Sequence, residues 1–433
     1  METAARLTSL IRHLGLPTVH FATQMPVDIA GLAAENPERI AGLVLCVPVR
    51  LDPRPFNALG TRLMMIAGDR GLGAETVERA AAWLPQARRH VLSGYDATGW
   101  SDVIAERTGE VVGAMVAFLH AVAAPDASAG LAGASGTHAG LRYRVEGSGP
   151  PLILLPFFLA PSQWDPAVAQ LARHFTVIRL GGAHIGGVAA LEDRARAPSY
   201  QAMFRTLVDL MAPAAQNRIL EVGCGSGALT RLLARRLGPA ARIDAVDINP
   251  FLLREAAELA ADSNECIRFA HGSALELPYP DATFDCIFSV TVLEECHADR
   301  AIAEMVRVAR PGARIGLAVR AIDVPQWWNL SLPEPIRRKA AIPPQSVERG
   351  GVADASLYAR MRRAGLVDLT AFPVLIALDK PDGPIWRYRE DHVLSRLSPD
   401  EIAAWEDASK KARAEGLLMQ AHALHCAVAT KPA

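Results

Sequence analysis

Residues 219–227 read Ile-Leu-Glu-Val-Gly-Cys-Gly-Ser-Gly, and residues 243–247 read Ile-Asp-Ala-Val-Asp. Arg218 to Val222 have the apolar density of a buried parallel strand. Gly223, Gly225 and Gly227 form the turn that leaves it, and Ala228 to Leu237 continue with apolar residues at helical spacing. Glycine suits such a turn for two reasons: a side chain would keep a ligand from the backbone, and the turn often requires positive φ. The free N–H groups of the following helix add a favourable dipole at the same place. One β–α unit later a second strand ends in Asp247, where a carboxylate can accept from both hydroxyls of a ribose. A lone G-x-G would be weak evidence. Strand, three glycines, helix and a second strand ending in an acid together specify a nucleoside ligand.

The glycine spacing narrows the nucleoside. Dinucleotide sites favour G-x-G-x-x-G, whereas this run is E-x-G-x-G-x-G with Glu221 just inside the strand. The run resembles motif I of class I S-adenosylmethionine (SAM)-dependent methyltransferases, above all the ubiquinone and menaquinone C-methyltransferase branch (methyltransferase type 11). Residues 272–285, Gly-Ser-Ala-Leu-Glu-Leu-Pro-Tyr-Pro-Asp-Ala-Thr-Phe-Asp, resemble that branch's G-D-A-x-x-L-P-F-x-D-x-x-F-D block. Ser289 to Glu295 resemble the end of its fourth strand, and Arg307-Val-Ala-Arg-Pro-Gly312 its R-V-L-R-P-G turn. The likeness covers roughly the second half of the chain. It implies that Glu221, Gly223, Gly225 and Gly227 hold the amino-acid portion of SAM, Asp247 the ribose, and Ile248, Ser273 and Ala274 the adenine. Ser289 joins this set at the strand end. The product would be S-adenosylhomocysteine. Two positions depart from the pattern. Ser273 replaces an acid and accepts less strongly than a carboxylate. Glu295 stands where relatives often have histidine, so a base inferred from that histidine does not transfer.

At 433 residues the chain is long enough for two domains, and 50% hydrophobic against 21% charged residues supports substantial cores. A net charge of −1 gives no electrostatic reason to expect a nucleic-acid partner. Apolar stretches such as Pro151 to Ala160 are too short to cross a bilayer. The opening Met-Glu-Thr-Ala-Ala-Arg lacks the order of a secretory signal, and six cysteines fall singly without a C-x-x-C pair. The expectation is a cytoplasmic protein whose Cys224 is a small loop residue. No His/Cys/Asp cluster has metal-ligand spacing, so no metal is expected. The partner expected is a small-molecule acceptor, with a homo-oligomer left open.

Residues 1–190 alternate strands and helices without a SAM pattern. Thr18–Thr23, Gly42–Val49, Arg62–Ala67 and Arg89–Leu92 read as strands, and Glu106–Val122 as a closing helix. Their order resembles the C-terminal half of an α/β-hydrolase. The nucleophile elbow G-x-S-x-G would fall on Phe21-Ala-Thr-Gln-Met25, where Thr23 replaces serine and both glycines are gone. The loop Gly94–Gly99 lacks the final histidine, and Asp69 without its partners performs no acyl chemistry. Residues 123–140 read as an Ala/Gly/Ser linker. Residues 141–190 then resemble the opening strands of the same fold, with Phe157 or Phe158 where the oxyanion-loop glycine belongs. The fragments are complementary. They either combine into one circularly permuted, catalytically inactive domain or pack as two separate pieces.

The expected architecture is therefore α/β: a Rossmann-like, seven-stranded class I methyltransferase domain over 191–433, preceded by the hydrolase-like domain. In the family the resemblance points to, the acceptor pocket comes from the segment before motif I and from a lid insertion after strand 5, here 321–351. Leu191 to Tyr200 could close over the cofactor. Trp327 and Trp328 form either an aromatic wall or the packing face of a lid helix. Tyr388 and His392, in Trp-Arg-Tyr-Arg-Glu-Asp-His (386–392), are candidate pocket groups in a run that otherwise reads as a solvated face. Glu294, Glu295 and His297 end strand 4 and are the candidate bases, against the alternative that the acids stabilise a helix N-terminus.

Overall fold

The computed structural model describes residues 3–96, 102–122, 130–158, 160–261, 266–379 and 383–433. The chain divides into two units, Met1–Ala189 and Ala190–Ala433.

The first unit is built on eight strands: β1 (Val19–Thr23), β2 (Ile40–Cys46), β3 (Leu63–Arg70), β4 (Arg88–Asp96), β5 (Ser135–His138), β6 (Leu141–Glu146), β7 (Pro151–Leu154) and β8 (Thr176–Gly181). They form one sheet in the order β4-β3-β2-β1-β7-β8-β6-β5. β1 pairs in parallel with both β2 and β7, so the two sequence fragments share a sheet. Only β6 and β5 run against their neighbours. Every residue of β1, β2 and β7 is buried, as expected of parallel strands covered on both faces.

One expectation is corrected here. Residues 135–138, assigned to the linker, are strand β5 in a hairpin with β6. The two-residue turn Ala139-Gly140 has φ of +50° and +78°, the conformation that matches the twist of a tight hairpin. Residues 123–129 of the expected linker, and 97–99 of the loop where histidine was sought, lie outside the described residues.

The second unit contains β9 (Arg218–Val222), β10 (Arg242–Asp247), β11 (Ile267–His271), β12 (Phe284–Val290), β13 (Ala309–Arg320), β14 (Trp327–Trp328), β15 (Val367–Ala371), β16 (Val374–Leu378) and β17 (Gln420–Thr430). The order is β11-β10-β9-β12-β13-β17-β14, with β15 and β16 also on β17. The expected seven strands are nine segments. At Ala421 and Gln420, β17 meets β14 on one side and β16 on the other. At Leu424 it meets β13 and β16. β14 therefore prolongs the rank of β13, and β15 with β16 share the outer rank. Seven ranks remain. Each edge of β17 thus carries two strand segments, β13 and β14 on one and β15 and β16 on the other.

Beside the sheet lies a smaller core formed by β14 and the helices Glu334–Ala340, Pro384–Leu394 and Pro399–Ala414. Trp328 packs edge-on against Trp386 and Trp405 at 5.1 and 5.0 Å between ring centroids. Such pairs contribute roughly 0.5–1.5 kcal/mol each beyond burial. Glu390 accepts from both of the other indoles, each at 3.1 Å. The helix Pro399–Ala414 opens with the capping box Ser398/Glu401. Part of the segment 321–351 thus packs against residues from 386–418.

Candidate active site

β9 ends at Val222 and the chain turns through Gly223, Gly225 and Gly227, with φ of +76°, +54° and +70°. All three lie in the left-handed region that disfavours side chains. Gly223 and Cys224 donate to the carbonyl of Val246 at 2.7 and 3.0 Å, which clamps the turn to β10. Asp247 closes the arrangement. One carboxylate oxygen accepts from the N–H of Gly225 at 2.7 Å and the other from that of Asn249 at 2.8 Å. Burial raises the Asp247 pKa above its ordinary value, opposed by those N–H donors. Next to it, Ile248 is 66% exposed, an apolar surface that the fold leaves uncovered. Glu221 is buried and accepts from the Thr230 hydroxyl. Burial pushes its pKa up to about 8. Burial likewise raises the Cys224 thiol well above its usual range, so it is not a nucleophile.

Two expected ligand contacts are used within the protein. The Ser289 hydroxyl is buried and donates to the Val222 carbonyl at 2.8 Å, tying β12 to β9. The Ser273 hydroxyl accepts from the N–H of Leu275 at 3.1 Å, a local turn that Ala274 shares. His271, the last residue of β11, meets the Ile248 carbonyl with a ring nitrogen at 3.1 Å.

The segment Leu191 to Tyr200, expected to close over the cofactor, touches the glycine loop through Glu192. Glu192 accepts from Ser226 Oγ and from Arg231, both at 2.6 Å, and Arg231 donates to the Ser226 carbonyl at 2.7 Å. The Glu192 and Arg231 side chains are each 8% exposed. A buried pair of this kind is costly to break, because one charge is left uncompensated. Nearby, Arg194 stacks 5.2 Å from the Tyr200 ring and donates to Thr291 Oγ1 at 2.9 Å. Tyr200, expected in the acceptor pocket, is buried among Met203, Phe204 and their neighbours.

The carboxyl end of β12 carries the strain. Thr291 has φ of +57°, a conformation that β-branched residues rarely adopt. It is held there by its N–H bond to Ala318 and by Arg194. Three residues on, Glu294 is fully buried, and its Oε1 accepts from the backbone N–H of Arg320 at 2.6 Å. Among the described residues its Oε2 has no partner. Burial raises the Glu294 pKa from 4.5 to about 7. The other two base candidates are placed differently. The Glu295 side chain is 57% exposed and ion-paired to Arg320 at 3.1 Å, and exposed His297 lies against Gly350. Glu294 alone of the three is buried at the strand end. Its folded pKa is raised, so its protonated form is favoured by folding, and stability falls as pH rises from about 4.5 to about 7. Thermal melting of Glu294→Gln should show a smaller decrease from pH 5 to pH 8 than the wild type. Equal decreases would assign the dependence to other groups.

The aromatic pair separates. Trp328 is core, whereas Trp327 is 51% exposed on β14, because consecutive strand residues face opposite ways. Tyr388 lines a cleft with Arg320, Ile322, Pro343, Arg389 and His422, while His392 is not among its lining residues. Arg389, Gln326 and His422 were missed. For Arg389 the only sequence signal is the charged run at 386–392, which reads equally as surface.

Residues 219–312 match the family model described as a methyltransferase domain. The chain is 33% identical over 114 residues to the ubiquinone/menaquinone biosynthesis C-methyltransferase UbiE of Pseudomonas paraeruginosa, covering 26% of this chain and 44% of that protein. It is 34% identical over 113 residues to the UbiE of Ectopseudomonas oleovorans, covering 25% of this chain and 66% of that one. The chain thus spans less than half the length of the first of these relatives. Among solved structures, the YcgJ protein of Bacillus subtilis aligns with a TM-score of 0.38 at 18% identity, over 54% of this chain and 99% of that one. The segment 219–312 is thus similar to a methyltransferase domain.

Proposed function

We propose, from the premise that residues 219–312 are similar to a methyltransferase domain, that the whole chain transfers a methyl group from SAM to a small organic acceptor. The observation that carries this reading is the glycine turn fastened to Asp247, with Ile248 left bare beside it. This arrangement fits a nucleoside whose amino-acid end meets Glu221, whose ribose meets Asp247 and whose adenine covers Ile248. When bound, SAM supplies a methyl group activated on a sulfonium for in-line displacement. The protein must then align the acceptor and exclude water. Glu192 and Arg231 hold the segment 191–196 against the glycine loop. Glu294, with one oxygen fixed by Arg320 and the other without a partner, is the group placed to take up an acceptor proton near neutral pH.

The first unit is a circularly permuted, inactive hydrolase-like domain. Its strand order supports this, with the fragment β5–β8 completing one sheet with β1–β4. The site where acyl chemistry would occur is filled by the chain itself. Thr23 is buried and bonded to Met25 N–H at 2.9 Å, and no residue from 21 to 25 has the positive φ of a strained elbow. Gln24 Oε1 accepts from the N–H of Phe158 at 3.1 Å, a donor that an oxyanion would need. The unit's role is then binding or scaffolding. Six free cysteines suit a reducing, cytoplasmic setting, and among the described residues no helix is long and apolar enough to cross a membrane.

The reading is tested by incubating the full chain with methyl-labelled SAM and fractionated small-molecule extracts. Label should move to an organic product with stoichiometric S-adenosylhomocysteine. SAM bound but never converted, while the extract is still transformed, would instead show a fold that uses the cofactor without methyl transfer. Hydrolysis of p-nitrophenyl acetate that disappears in Thr23→Ala would overturn the inactive assignment of the first unit.

A further inference from the structure

Arg389 is 6% exposed, on the helix Pro384–Leu394. Among the described residues no carboxylate lies within ion-pair distance of it: Nη1 donates to Gln326 Oε1 at 3.1 Å, and Nε has no partner. Gln326 is itself buried, and its amide nitrogen donates to the carbonyls of Ala340 and Ile342 at 2.9 and 3.2 Å. With both N–H positions directed at carbonyls, only Oε1 is left to accept, so Gln326 fixes the orientation of the guanidinium. Burial of this kind usually comes with a compensating anion. Here none is supplied by the protein. Burial lowers the Arg389 pKa to about 10, so the group keeps its charge at neutral pH.

Arg389 is one of the residues lining a cleft, together with Arg320, Ile322, Pro343, Tyr388 and His422. The charge of Arg320 is already engaged by Glu294, Glu295 and the Ser346 carbonyl. His422 is buried and bonded to Gln420 at 3.2 Å; burial, with Arg389 and Arg194, holds its pKa well below the usual value. The cleft is therefore positive, with a neutral imidazole and apolar walls from Ile322, Pro343 and Tyr388. It also adjoins the strand end, because the same Arg320 that lines it fixes Glu294.

We propose that this cleft binds the carboxylate of the methyl acceptor, with Arg389 as its counter-charge, so that the substrate class is a small organic acid with an apolar body. The proposal rests on the methyl-transfer reading above. A planar guanidinium suits a planar carboxylate, which can accept two parallel bonds.

Benzoate and its neutral isostere benzamide are titrated by calorimetry into the full chain, with and without S-adenosylhomocysteine. Benzoate should bind at least about tenfold more tightly than benzamide, the factor expected of one charge-assisted hydrogen bond. Arg389→Gln should reduce benzoate binding to the benzamide level with S-adenosylhomocysteine affinity unchanged, and Arg389→Lys should recover part of the loss. Gln326→Leu, which leaves the charge but frees its orientation, should weaken benzoate to an intermediate degree. If Arg389→Gln melts early, the lysine and Gln326 variants decide the matter. Equal binding of the two probes, no benzoate binding to the wild type, or undiminished binding in the variants overturns the proposal. Failure of the wild type to bind S-adenosylhomocysteine would sink the methyl-transfer reading separately, since benzoate is also measured without it.

Discussion

Asp247→Ala should lower SAM affinity by about 100-fold or more in calorimetry. The carboxylate acts twice. In the protein its oxygens receive the N–H groups of Gly225 and Asn249, fixing the middle of the glycine turn and the cap of the next helix. With cofactor it would also receive the ribose hydroxyls. Hydrogen bonds to a charged acceptor contribute roughly 1.5–3 kcal/mol each, so losing two corresponds to a factor of ~100 or more. Asp247→Asn keeps one acceptor oxygen and should fall between. An affinity for Asp247→Ala within about threefold of wild type would remove the ribose from this end of β10.

Gly223→Ala should be the most damaging of the three single glycine-to-alanine changes in the turn. The added methyl would sit 2.2 Å from Val292 Cγ2, with the backbone held at φ +76°. The left-handed conformation alone costs roughly 1–2 kcal/mol for alanine. The clash adds to this, because the short, β-branched side chain of Val292 has to shift or turn to relieve it. A total of about 3 kcal/mol or more is expected, seen as a melting temperature lower by several degrees and SAM binding lost. Gly225→Ala is the internal control: its methyl would meet only Leu191 Cδ1, at 3.0 Å. It should melt closer to wild type, while still obstructing the ligand. The reverse ranking of melting temperatures would show that Val292 yields and that the clash carries little energy.

What was legible in the sequence was local. The strand–turn–helix at 218–237 could be read residue by residue because turn glycines, an apolar strand and a helical period act over a few positions. The buried parallel strands β1 and β2 of the first unit were also readable, since fully buried parallel strands are continuous apolar runs, whereas the exposed hairpin strand β5 was not. Hydroxyl roles were not. Ser273 and Ser289 found partners in the Leu275 N–H and the Val222 carbonyl, and only the folded chain shows which donor or acceptor arrives first. Nor could the sequence rank Glu294, Glu295 and His297, because burial, which raises the first and leaves the second in solvent, depends on β13 lying alongside.

The acceptor side was the least legible for a similar reason. Arg389 belongs to a run of charges that would be solvated on an ordinary surface helix. It is buried because Trp386 and Val393 of the same helix pack into a second core with Trp328 and Trp405, far off in sequence. Long-range packing of this sort overrides the composition of a seven-residue window.

The position of β17 bears on how the protein is made. This strand, Gln420–Thr430, supplies the pairing edge for β14, β15 and β16 and the antiparallel neighbour of β13. As the ribosome works from the N-terminus, β9 to β13 emerge with their mutual partners, but three later strands wait for one that is translated after all of them. His422 and Ala423 in the cleft arrive with it. The cofactor turn can thus form during synthesis, whereas the acceptor cleft is completed only by insertion of a late strand, the kind of distant pairing that folds slowly. On the proposed readings of the two sites, a nascent chain halted before residue 420 would hold the glycine loop without a place for substrate, so the capacity to bind cofactor would precede the capacity to use it.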